Sequence, residues 1–277
     1  MKNNLLPFLL IVSISFISCD KIKGPYTEIS PDTGGNRKIL IEDFTGHRCV
    51  NCPRAAEAIK SIQQLRPGRV IAIGVHVTSQ FAAPGSGIYN IDFRTAVGNS
   101  NDSLFEVSLL GLPTGMVNRL MVSGVRRIEY SNWSKYADSL LQLPAVAEIK
   151  IENIYTASSR IVTSTVKCDF LTAMSGSYKL AVYLVEDSIP HAQKDNLIPA
   201  PSNDSDYVHN HVLRTSLNSA FGELLNSGPV SAGGSFSKTY SRTLNANWRE
   251  KKCAIVAFIY DDLTKEVVQA EEHEIIE

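Results

Sequence analysis

Two cysteines stand at C-x-x-C spacing, as Cys49-Val50-Asn51-Cys52. An apolar run, Ile39-Leu40-Ile41-Glu42-Asp43-Phe44, precedes them. A helix-forming stretch, Pro53-Arg54-Ala55-Ala56-Glu57-Ala58-Ile59, follows. Cysteines at this spacing can close a small disulfide ring. The free N–H groups and positive dipole end of a helix favour a thiolate at its start. A thiolate attacks disulfides, so the pattern points to thiol–disulfide exchange. In that reading Cys49 is the exposed nucleophile and Cys52 the resolving sulfur. His47 and Arg48 add positive charge, which lowers a thiol pKa below its usual value of about 8.5. Asp43 ends the strand and can lie beneath Cys52. A carboxyl buried there rises in pKa and can take the proton of Cys52 when Cys52 attacks a mixed disulfide. Other readings stand beside this one. The pair could be a structural disulfide that pins the helix start, and Asp43 a strand-end cap. A zinc site of four cysteines lacks the second close pair that such sites show.

The remaining candidates carry less chemistry. Setting Cys19 aside leaves four cysteines, which allow three pairings. Proximity favours Cys49–Cys52 and leaves Cys168–Cys253, or two buried thiols, on separate expected strands. His209 and His211 fall on one side of an extended segment. With His191 they could bind a metal, but a hydrogen-bonded loop anchor explains them as well, and no metal or cofactor is expected. No nucleophile–base pair for hydrolysis, phosphate loop or cofactor fingerprint is present. A net charge of −1 argues against nucleic acid as a partner.

These residues need elements to position them. Lys38–Phe44 reads as a strand, Arg54–Leu65 as a helix stopped by Pro67-Gly68, and Arg69–Val77 as a strand buried on both faces. Residues 78–103 read as an insertion around a short helix near Phe93–Val97, and 103–109 as another short helix. A hairpin is expected over 114–128 and a helix over Ser131–Leu141, capped by Ser131. Strand–helix–strand order implies an α/β layer fold for residues 38–143. From Pro144 the texture is β. Strands are expected at 146–155, 161–170, 178–186, 235–244, 253–260 and 266–272, with a long polar excursion at 190–206 and a helix at 216–226. Short strands with turn signals suggest an all-β sandwich for residues 144–277.

The N-terminus carries an address. Met1-Lys2-Asn3-Asn4 leads into a mostly apolar run ending at Ser18-Cys19, which reads as a signal peptide over 1–18. Phe16-Ile17-Ser18-Cys19 resembles a bacterial lipobox, which implies a lipid on Cys19. A Gly/Pro/Ser/Asp-containing tether then runs from 19 to 37. Acyl chains contribute about 0.8 kcal/mol per buried methylene, so they would hold the chain on a membrane. No acidic run follows Cys19 to signal export to the cell surface, so a periplasm-facing placement is expected.

A strand ending in Asp43-Phe44 before the C-x-x-C resembles thioredoxins. So does Gly111-Leu112-Pro113-Thr114, because thioredoxin-like folds carry a cis proline opposite the dithiol. The resemblance implies that Leu112 and Pro113 dock the backbone of an extended substrate. Arg48 replaces the usual tryptophan before the first cysteine, and Val50-Asn51 replaces Gly-Pro. A narrower resemblance rests on three stretches: Ile41–Pro53, Gly111–Arg119 and Tyr207–Arg214. Together they resemble the outer-membrane lipoprotein family of Bacteroidetes named for a twenty-eight-kilodalton outer-membrane protein. That family implies a thioredoxin-like domain followed by an immunoglobulin-like β-sandwich, tethered to the outer membrane. Two functions follow as expectations: thiol–disulfide exchange on exported proteins, or a binding and structural role with a fixed disulfide.

Overall fold

The apolar periodicity of the central strands reports two cores at once. The computed structural model describes residues 36–276, which belong to one compact unit. The expected signal peptide, the lipidated Cys19 and all but the last residues of the tether lie outside the described residues. In chain order the first elements are β1 (Ile39–Thr45), α1 (Cys52–Leu65), β2 (Val70–His76), α2 (Ala96–Phe105), β3 (Thr114–Val117) and α3 (Trp133–Leu141). Then come β4 (Ala147–Thr156), β5 (Ile161–Phe170), β6 (Tyr178–Glu186), β7 (Ile189–Pro190), β8 (Gln193–Lys194), β9 (Asn203–Asp204) and β10 (Val208–His209). The chain ends with β11 (Val212–Ser216), β12 (Glu223–Asn226), β13 (Ser235–Thr243), β14 (Cys253–Asp261) and β15 (Val267–Glu274). The structure is mostly β.

One large sheet runs β15-β14-β6-β11-β2-β1-β3, with β12 added on β6. β1 and β2 are parallel, and β3 is antiparallel to β1. β11 lies parallel to β2 and antiparallel to β6. Strands from both sides of the expected boundary near Pro144 therefore share a sheet. Its edges curl towards each other: Val267 N donates to Asn118 O at 2.9 Å, beside the end of β3. The inner face of the curl packs Leu40, Phe44, Ile73, Val75, Tyr183, Val256 and Phe258. Their sequence neighbours on β1 and β2 (Ile39, Ile41, Val70, Ala72) face out against α1 and α3. Neighbours on β6 and β14 (Leu180, Val182, Leu184, Ile255, Ala257) face a separate sheet, β13-β5-β4. Strands buried on both faces read as near-continuous apolar runs for this reason.

Close approach fixes the corner where α3 meets β1 and β3. A Cβ on Gly115 would come within 2.5 Å of both Glu42 O and the Trp133 ring. Trp133 is fully buried there, and its indole Nε1 donates to Ile128 O at 2.9 Å. The expected helix at 216–226 is a correction. Residues 212–216 and 223–226 are strands paired with β6. The free edge of β6 decides their conformation, and tertiary pairing overrides local propensity.

The expected Cys168–Cys253 bridge is also corrected: both are free, buried thiols. Cys168 lies near the end of β5, opposite Phe236 and Ile149, whereas Cys253 opens β14 opposite Glu186. The two cysteines stand on different sheets, β5 and β14, and each is packed in the apolar core between them. Burial, the leading cause, pushes both thiols up to about 12. A thiol reagent at pH 8 is expected to leave both cysteines unlabelled in the folded protein and to label both in urea, as read by peptide mass mapping.

Candidate functional site

β1 carries Asp43 towards the point where the chain leaves the sheet. Gly46 makes the exit: a Cβ there would lie 2.5 Å from Phe81 O. The loop then closes on itself, with Cys49 N donating to Gly46 O at 2.9 Å. α1 starts at Cys52, with Pro53 in its first turn, where its missing N–H costs nothing. Cys49 and Cys52 form a disulfide, with Cα atoms 5.4 Å apart.

The expectation of an exposed Cys49 is not met: Cys49 and Cys52 are each 2% exposed. The excursion between β6 and β11 covers them. Lys194 N donates to His47 O at 2.8 Å, and Asn196 N to Val50 O at 3.0 Å. Gln193 Nε2 donates to Cys49 O at 2.9 Å. Arg54 of α1 pairs with Asp195 at 2.6 Å. The chain thus lays one of its own segments along the dithiol loop. A polar loop composition predicts an excursion, but nothing in it says where the loop will land.

Asp43 is 4% exposed, and its Oδ1 has no hydrogen-bond partner. Burial raises its carboxyl to about 8, so the acid is mostly protonated at neutral pH. Asp43 and Cys52 line one cavity of about 470 Å³, together with Glu57 and Lys60 of α1, His76 of β2, and Tyr207 and His209. The strand-end carboxyl and the second cysteine are therefore brought together, as the spacing suggested. Cys49 does not line this cavity. Neither do Leu112 and Pro113, whose peptide bond is cis. Thr114 pairs with Phe44, which sets Pro113 beside the end of β1 from which the dithiol loop departs.

A cluster of imidazoles flanks the dithiol, and only part of it was legible. His47, His76, His191 and His209 surround Phe93, with ring centroids 5.7, 4.9, 5.4 and 5.0 Å from it. Neither ring nitrogen of His47 or His76 is hydrogen-bonded, nor is Nε2 of His191 or His209. His47 is pushed down to about 4 by burial first, then by His191 and Arg48. It adds no positive charge beside Cys49, contrary to the expectation. His209 is pushed down to about 3, and His76 well below its ordinary value, again by burial and neighbouring imidazoles. His209 turns towards Phe93 while His211 faces Asp187 at 3.4 Å. Among the described residues no group of three or more His, Cys, Asp or Glu is arranged to hold a metal ion. His76 could have been noticed as a polar residue ending an otherwise apolar strand.

The cluster sets a pH dependence. Above about pH 6.5 these imidazoles are neutral in the folded and unfolded chains alike. Below it, the unfolded chain takes up protons that the folded cluster refuses, so the cluster's contribution to stability falls with pH, down to about 4 for His47 and about 3 for His209. Arg48 and Arg214, the nearby cations, add to the repulsion. Between pH 7 and pH 5 the cluster is expected to contribute a loss of about 2 kcal/mol or more to the stability read by urea unfolding, set against the opposite slope of the Asp43 carboxyl. His76→Phe should flatten the cluster's slope.

The family model described as Outer membrane protein Omp28 matches residues 100–277; the C-x-x-C lies outside the matched stretch. HBP35 of Porphyromonas gingivalis is similar in fold, with a TM-score of 0.65 and 18% identity over 87% of this chain and 76% of that one. Protein AGR_C_4864 from Agrobacterium tumefaciens superposes with a TM-score of 0.52 and 12% identity, over 87% of this chain and 96% of its own. A domain of the outer membrane lipoprotein Omp28 from Porphyromonas gingivalis gives a TM-score of 0.32 and 20% identity, over 47% of this chain and 88% of its own. No curated protein sequence matches the chain.

Proposed function

Because the chain belongs to the Omp28 outer membrane protein family, we propose that it is a lipid-anchored outer-membrane lipoprotein that carries out thiol–disulfide exchange on exported proteins. In this reading Cys19 bears the lipid and the folded part faces the periplasm. The N-terminal half is thioredoxin-like. Parallel β1 and β2 around α1, an antiparallel β3 after cis Pro113, and the dithiol at the start of α1 support that assignment. β4, β5 and β13 packed on β6 and β14 support an immunoglobulin-like sandwich for the C-terminal half. Cys49 attacks, Cys52 resolves, Asp43 relays the proton, and Leu112 and Pro113 dock the substrate backbone once residues 193–196 swing away.

Asp43 is the observation that carries this reading. An unpaired, buried acid destabilises a fold, and strongly shifted acids of this kind cluster where protons are moved. The site beside Cys52 is where exchange needs one. The experiment is a redox titration of the full chain with Cys49→Ser as control. Exchange predicts reversible reduction above about −300 mV and reduction of a test disulfide that the control cannot perform.

A second reading has its own support. The burial of both cysteines, with residues 193–196 bonded along the Cys49 loop, suits a fixed disulfide in a binding or structural lipoprotein of the cell envelope. A potential below about −300 mV, with no reduction of the test disulfide, selects it.

A further inference from the structure

Cys49 and Cys52 are equally buried, at 2% exposure each, but their surroundings differ. On the Cys49 side, Gln193, Lys194 and Asn196 hydrogen-bond to the carbonyls of Cys49, His47 and Val50. On the Cys52 side lies the cavity of about 470 Å³, which reaches Cys52 and Asp43 but not Cys49. That volume is in the range of sites for small molecules, roughly 300–1,000 Å³. Two residues that line it carry buried polar atoms without hydrogen-bond partners, Asp43 at Oδ1 and His209 at Nε2. Buried polar atoms are ordinarily satisfied, so these two leave the cavity's inner end short of hydrogen-bond partners. Glu57 and Lys60 sit on the α1 wall with opposite charges, which complements an amino and a carboxylate group on one small molecule.

We infer that this cavity admits a low-molecular-weight aminothiol, and that the closed protein exchanges electrons with it at Cys52 rather than at Cys49. The inference rests on the exchange reading above and names the small-molecule half-reaction of the same dithiol. The incoming thiol's sulfur bonds to Cys52 Sγ as the Cys49–Cys52 bond breaks, and Cys49 leaves with the electron pair. Asp43 gives its proton to the departing sulfur and takes the proton of the attacking thiol. A second aminothiol then attacks the small-molecule sulfur of the mixed disulfide and frees Cys52 as a thiol. Two small thiols are oxidised to one disulfide, and one protein disulfide is reduced to a dithiol. The reverse sequence oxidises the protein.

The test uses full-length Cys49→Ser and Cys52→Ser proteins, each with one active-site thiol, exposed to cystine and, separately, to the bulkier glutathione disulfide. Peptide mass mapping follows mixed-disulfide formation at position 52 or 49. Cystine is expected to modify Cys52 at least about tenfold faster than Cys49, with cystine preferred over glutathione disulfide at Cys52. Ala56→Phe, which narrows the cavity from α1, should slow Cys52 by a similar factor. The size preference needs no further variant, so it decides the matter if Ala56→Phe fails to fold. Faster modification of Cys49, or no preference for the smaller disulfide, overturns the inference and leaves exchange standing. If neither thiol reacts until the protein is unfolded in urea, the exchange reading falls with it.

Discussion

Asp43→Asn is expected to make the protein more stable at pH 8 and a poorer exchanger. Burial holds the folded carboxyl near 8, against an ordinary value of 3.8. Between these values the folded state keeps a proton that the unfolded chain has released. Stability therefore falls as pH rises through this window and levels off above about 8. Each pH unit of the window is worth about 1.4 kcal/mol, so the full penalty amounts to several kcal/mol. Asparagine fills the same space without a charge to bury, and its gain over the parent should grow steadily from pH 4 to pH 8. The imidazole cluster contributes the opposite slope below pH 6.5, but it is common to both proteins and cancels in the difference. Exchange should slow by about a hundredfold, the usual contribution of a positioned acid or base. Urea unfolding and test-disulfide reduction, run on the same samples, give the two readouts. A constant stability difference across pH would mean that Asp43 titrates as an ordinary surface acid. An unchanged exchange rate would remove it from the proton path.

Asp43 was legible because its position is local: it ends a strand a few residues before the cysteine pair. The cysteine pair, the helix behind it and most of the β-strands were legible for the same reason, each written in contiguous periodicity or spacing. What escaped notice depends on distant partners. β11 is five residues long, VLRTS, with a mixed pattern that reads as loop. It becomes a strand because it lies between β2 and β6, and so joins the two halves of the chain in one sheet. The fate of residues 193–196 was hidden too, since their bonds to the dithiol loop are to backbone carbonyls, which every sequence offers. His47, His76 and His209 come from three separate segments, so no spacing could announce their meeting at Phe93. Cys168 and Cys253 show the reverse error, in which an even cysteine count suggested a bond that the two facing sheets do not form.

Arg119→Met is expected to cost about 3–5 kcal/mol, the range for breaking a buried ion pair by removing one partner. Glu42 sits on the inward face of β1, between Leu40 and Phe44, where period-2 alternation demands an apolar side chain. Arg119, just past β3, answers it with a two-pronged contact, Nε to Oε2 and Nη2 to Oε1, each 2.8 Å. Both side chains are almost wholly buried, at 1% and 2% exposure. The guanidinium also lies 4.8 Å from the ring centres of Phe105 and Phe258 and 5.2 Å from that of Tyr260. Burial by itself would discharge the arginine, but the charge and hydrogen bonds of Glu42 outweigh it and hold the group protonated. Methionine would leave the Glu42 carboxylate in an apolar interior with no counter-charge. A domain of this size should lose roughly 10 °C in Tm. Arg119→Lys keeps the charge but not the fork, so it should fall between methionine and the parent. Glu42→Leu combined with Arg119→Met removes both charges and should recover most of the loss, since apolar replacements of buried pairs are often neutral. Thermal and urea unfolding of the four proteins decide the matter. A single substitution costing less than about 1 kcal/mol would mean that water reaches Glu42. The curled sheet would then be open at the β3–β15 edge, where Val267 donates to Asn118.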